Sequence, residues 1–165
     1  MTFAPRTWSV GETVTAAMLN TEVRDQFNSM FAAWTAYTPA WSSAGTAPVI
    51  GNGSITGRYM KVGRTCHVAI RHVCGSSTTY GSGGYLWSLP FTSANAGVEY
   101  LGSARLTGTD AWLGQTVVSA NSGLISPTFP ASATNTRSAT QTASVPEVLA
   151  NGSIIRMSIT YQTST

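Results

Sequence analysis

At 165 residues the chain has room for one medium domain and an appendage, and its 42% hydrophobic and 10% aromatic content with a net charge of only +3 excludes an intrinsically disordered chain. Charged residues make up 9%, against roughly 25% in an average soluble domain, so Ser, Thr, Asn and Gly are expected to cover the surface. The nine basic residues never stand two in a row and no stretch approaches the roughly 20 apolar residues that span a bilayer, so neither nucleic-acid binding nor membrane insertion is expected.

Residues 1–12 read as an irregular lead-in with Pro5, Trp8 and Gly11, and they lack the apolar core of a secretory signal. From Thr13 to about Trp34 the spacing predicts one amphipathic helix. Thr13 or Thr15 can cap its first turn, and Glu22, Arg24, Asp25 and Gln26 cluster at its middle. Leu19, Val23, Phe27, Met30 and Trp34 recur every three or four residues and make one apolar stripe. The stripe can cover the chain's own sheet or join copies of the chain as a short bundle. With Trp8, these residues are the candidate oligomerisation and attachment set.

After Thr38-Pro39 the helical period gives way to short extended pieces punctuated by Pro and Gly. Arg58–Val62 and Thr65–Val73, joined by Gly63-Arg64, predict a hairpin. In its second strand Cys66, Val68, Ile70 and His72 share one face, and His67, Ala69 and Arg71 the other. Gly75–Gly84 predicts a polar loop and Tyr85–Leu89 a strand closed by Pro90. Further strands are expected at Val98–Leu106, Ala111–Ser119, Gly123–Phe129 and Ile154–Tyr161, with a loop or weak strand over Pro130–Ser144. Short strands about every ten residues indicate a mainly β protein. The expected architecture is an N-terminal attachment segment over residues 1–37 and an antiparallel β-sandwich, jelly-roll-like, over residues 38–165.

The chain offers little chemistry. Of its six carboxylates only Glu99, Asp110 and Glu147 fall in the β region, and Glu99 with Asp110 would have to meet across adjacent strands to act as an acid pair. His67 and His72 face opposite sides of one strand, which is no arrangement for a shared metal. Cys66 and Cys74 would lie roughly 26 Å apart along a strand, too far for a disulfide. No nucleophile elbow and no phosphate-cradling loop is present. The reading is non-enzymatic, with no cofactor and no metal. Among the aromatics, Tyr80 in the polar loop and Trp87 are the candidate ligand-facing residues, since aromatic faces can stack on sugars; core or subunit packing is the ordinary use of such residues.

The pattern Trp8-x-x-Gly11-Glu12-x-Val14-Thr15-Ala16-Ala17-x-Leu19-Asn20, followed by Val23-Arg24-Asp25-Gln26-x-Asn28, resembles the N-terminal segment of minor tail and fibre-like virion proteins of tailed phages infecting actinobacteria. Gly51-Asn52-Gly53, Thr56-Gly57-Arg58-Tyr59, Thr78-Thr79-Tyr80-Gly81-Ser82-Gly83 and Ser88-Leu89-Pro90 are similar as well, so the resemblance covers residues 1–90. The C-terminal third, with Leu149-Ala150-Asn151-Gly152-Ser153 before its last strand, shares only the style of trimeric jelly rolls. The resemblance implies a structural virion protein of the minor tail type and a homotrimer; the leading expectation is that its N-terminal segment docks to other virion proteins and its β domain points outward, with a host-surface glycan as the candidate ligand. A capsid decoration protein or head fibre, a glycan-cleaving spike and a free lectin-like module are the competing readings.

Overall fold

The computed structural model describes residues 6–165; the first five, including Pro5 of the expected lead-in, lie outside the described residues. Ten antiparallel strands follow one helical segment: β1 (Thr35–Tyr37), β2 (Trp41–Ser43), β3 (Ser54–Val62), β4 (Thr65–Val73), β5 (Tyr85–Ser88), β6 (Tyr100–Thr107), β7 (Ala111–Val118), β8 (Leu124–Pro130), β9 (Ser138–Thr140) and β10 (Ile154–Gln162). Their order in space is β1-β3-β4-β10-β6-β7-β8-β5-β2, with β9 beside β8. The protein is mainly β, as the strand spacing predicts. The two faces expected of a sandwich come from one sheet that curls over itself into a half-barrel.

The curl follows from connectivity. β1 and β2 stand at opposite ends of the strand order, yet only Thr38, Pro39 and Ala40 join them. A link that short spans at most about 14 Å, so the two ends of the sheet must meet in space. The contacts agree: Tyr37 of β1 donates its hydroxyl to the Ser88 carbonyl of β5 at 3.4 Å, and the Trp41 ring of β2 lies 4.4 Å from the His72 ring of β4.

Inside the curl, alternation selects the core. Cys66, Val68, Ile70 and His72 of β4 point inward as their period requires, and Ile155, Met157, Ile159 and Tyr161 of β10 meet them. Leu106, Val118, Ile125 and Phe129 extend the core to β8, and Tyr85 and Trp87 close it. Gly63, at φ +56°, occupies the first position of the two-residue β3–β4 turn, a conformation other residues adopt only with strain. Both cysteines are free and buried, and burial pushes their thiols up from the ordinary value.

The sequence anticipated the long strands to within two residues at nearly every end. β3 runs four residues further back than expected, starting at Ser54, and β1, β2 and β9 are too short to show a period. Thr35–Tyr37 pairs with β3 and so belongs to the sheet.

One carboxylate shapes a turn. Glu147 accepts from the backbone N–H groups of Thr109 and Asp110 at 2.9 and 3.0 Å and from the Trp112 indole at 3.0 Å, pinning the β6–β7 turn to the loop before β10. Three donors on one ionised acceptor are worth more than neutral hydrogen bonds of the same number. Glu147→Gln is therefore expected to lower stability by about 1–2 kcal/mol in urea unfolding with an unchanged m-value.

Candidate functional site

The helical segment lies outside the core and meets the sheet at β3. It consists of α1 (Ala16–Leu19), a π-helical stretch (Asn20–Arg24) and α2 (Asp25–Phe31), shorter at both ends than the expected span. Thr15 is the N-cap, its hydroxyl accepting from the Met18 N–H at 3.2 Å. In the π-helical stretch the Asp25 N–H donates five residues back, to the Asn20 carbonyl. That wider turn shifts the phase of the stripe, displacing Leu19 and Val23 around the helix relative to Phe27 and Met30. The polar side is held by an Arg24–Asp25 ion pair at 2.8 Å and by Gln26, which donates to the Thr21 carbonyl. At the exit, the Arg58 guanidinium donates to the Trp34 carbonyl at 3.3 Å and fastens the segment to β3.

Along this segment Trp8, Leu19, Val23, Phe27, Met30 and Trp34 are all 40–57% exposed, and Phe31 is 83% exposed. Single exposed apolar residues are ordinary, but a run of them on one short helix is a surface that gains from being covered. All six residues expected for attachment are thus open to solvent, and none of the described ones enters the core. α2 rests against β3, while its apolar side chains stay largely open to solvent.

The aromatic candidates are placed differently. Trp87 is fully buried, stacked 6.2 Å from Trp41 and edge-on to Tyr85 and His72. It cannot face a ligand: the alternation of β5 turns it into the core, and the curl of the sheet covers it. Tyr80 is half-buried against the core beside Cys74, and desolvation pushes its hydroxyl up to about 12. Its carbonyl accepts from the Tyr85 hydroxyl at 2.8 Å, so the polar loop is anchored to β5. Asn52 grips the same loop, accepting from the Ser77 N–H at 2.9 Å, and Gly51 at φ +57° has no space for a side chain against Ser77. An open apolar cleft of about 390 Å³ instead runs past Pro39, Trp41, Pro48, Val49 and Ile55, where sequence reasoning placed no ligand. Trp41 was one of five tryptophans, and nothing in its neighbours distinguished it.

The proposed acid pair is not formed. Glu99 precedes β6 and Asp110 follows it, so roughly 24 Å of strand separates them. Glu99 accepts from the Ser119 hydroxyl at 3.2 Å. His67 and His72 do lie on opposite faces, His67 outside against Thr160 at 2.9 Å and His72 fully buried.

No family model matches the chain, and no solved structure matches it. Over 68 residues, 41% of its length, the chain is 37% identical to the Mu-like prophage FluMu defective tail fiber protein of Haemophilus influenzae. The chain spans about 11% of that protein. Its source does not support the actinobacterial host implied by the N-terminal motif.

His72 gives the core a pH dependence. Burial pushes it down to about 4, and its Nδ1 accepts from the Trp87 indole at 3.3 Å, a contact that protonation at Nδ1 would set donor against donor. In the unfolded chain the ring takes its proton near pH 6.5, so the native state binds fewer protons between about pH 6.5 and 4. Stability is full above that window and falls as pH drops through it, by up to roughly 1.4 kcal/mol per pH unit. Urea unfolding followed from pH 7.5 to 4 is expected to show this slope, and His72→Gln to flatten it whatever its effect on stability at pH 7.5.

Proposed function

We propose that the chain is a structural component of a phage tail or tail fibre, a binding part of the virion rather than a catalytic one. The observation that carries the phage reading is the likeness to a stretch of the prophage tail fibre protein. The mode of attachment rests on the exposed apolar residues Leu19, Val23, Phe27, Met30 and Trp34, which lie outside a core made by the sheet and its loops alone. In this reading the N-terminal segments of three copies bury their stripes against one another or against a neighbouring virion protein, and the β domain points outward to meet the host surface. Closed threefold symmetry would hide the apolar stripes that a lone subunit exposes. The low charge of the chain suits such close association.

A capsid decoration protein or head fibre would use the same mooring, and the difference is one of position. Immunogold labelling of intact particles is expected to mark the tail or its fibres; label spread over the head would replace the tail reading by the decoration one. Light scattering of the purified chain is expected to give about three times its 17.3 kDa mass. Phe27→Ser with Leu19→Ser is expected to return the chain to a monomer while the unfolding transition of the β domain moves by less than about 0.5 kcal/mol, the range of surface substitutions. A monomeric native chain would overturn the proposed self-association.

A further inference from the structure

Arginines that are scattered in the sequence converge on the outer face of the sheet. The pairing register sets Arg71 of β4 opposite Arg156 of β10, and Arg156 opposite Arg105 of β6, so three guanidinium side chains stand side by side on neighbouring strands. Strands lie about 4.8 Å apart, and the row is therefore about 10 Å from end to end at the backbone. All three are exposed, and Arg58 of β3 joins the group at the edge of a depression of about 310 Å³ that Thr56, Ala69, Arg71 and Arg156 also line. Like charges placed directly opposite on paired strands oppose folding. The four strands carry no acid to offset them: β3, β4, β6 and β10 contain no Asp or Glu. The described ion pairs, Arg6–Glu12 and Arg24–Asp25, lie elsewhere. Arg58 reaches the Trp34 carbonyl and Arg156 the Thr107 hydroxyl at 3.4 Å, whereas Arg71 and Arg105 have no partner among the described residues.

We infer that this face binds an acidic polysaccharide, with the arginine row taking successive oxyanions along the sugar chain. Guanidinium groups match carboxylates and phosphates in a two-pronged geometry, and a row of them suits a linear polymer of repeated charge. The next register row, Ala69, Ser158 and Ser103, sets hydroxyls beside the arginines, the donors and acceptors that sugar hydroxyls need. A second copy of the same face is disfavoured, because it would oppose arginine to arginine. Single-stranded nucleic acid is disfavoured because its bases need aromatic platforms. The tyrosines of these strands, Tyr59, Tyr100 and Tyr161, pack on the core instead.

The inference deepens the reading of the β domain as a host-surface binder and rests on it. The test is fluorescence-anisotropy binding of labelled polygalacturonate, of uncharged dextran and of oligo-dT to the native chain and to the Arg71→Gln, Arg105→Gln, Arg156→Gln variant. Polygalacturonate is expected to bind the native chain in a salt-sensitive way, dextran not to bind, and the variant to lose about tenfold or more in affinity. The variant is expected to melt no earlier than the native chain, since it relieves like-charge opposition. Equal binding of polygalacturonate by the variant, its failure to bind the native chain, or tighter binding of oligo-dT would each overturn the inference. Equal binding of dextran would overturn it too, while leaving a glycan-binding domain. None of these results touches the position of the protein on the particle, which the labelling experiment reads separately.

Discussion

Strand β10 holds this molecule together. It is the last strand of the chain, and it lies between β4 and β6, pairing with β4 over nine residues and with β6 over five. Without it the β3–β4 hairpin and the β6–β7–β8 meander would be two small antiparallel pieces, each with an open edge. Ile155, Met157, Ile159 and Tyr161 bring the inward half of β10 to the centre of the core, and all four are buried. Such pairing joins residues far apart in the chain, so its loop-closure entropy must be met before its contacts form. The register fixed by those contacts also decides what the outside of the sheet presents.

The same pairing has two faces with opposite physical character. Inside, aromatic rings meet edge-on around His72, with Trp41, Tyr85 and Trp87 within 6.2 Å of one another, and the histidine stays neutral because water is kept from it. Outside, the one-residue phase difference between neighbouring positions lines Arg71, Arg156 and Arg105 into a row. A slip of one residue in the β4–β10 register would exchange these two populations, burying arginine and exposing isoleucine. Core packing and surface charge are therefore set by one alignment.

The helical segment obeys a different logic. Its capping and its ion pair are local, and its exit is tied to the sheet through Arg58 and Trp34, but its apolar side chains stay outside the core and largely exposed. The sheet has no need of them, because the closing of β1 against β5 through Tyr37 already covers the core. The core is thus complete while the apolar side chains of the helical segment stay open to solvent.

Much of this was legible in the residues alone. Short extended runs between turn residues marked β4, β6, β7, β8 and β10, and alternation gave the inward face of β4, since burial on one side of a strand forces a period of two. Threonine and the three-and-four spacing marked the helix and its stripe. Strands of three residues could not be read, because β1, β2 and β9 are shorter than the pattern that would reveal them. The π-helical turn could not be read either, nor the burial of Trp87, which depends on a sheet end contributed by Trp41 more than forty residues earlier. The sequence by itself determined which side chains alternate and which segment is helical, because those are properties of neighbours along the chain. Only the tertiary structure decided that three separated arginines stand in one row and that Glu99 and Asp110 do not meet, because both depend on which strands pair and in what register.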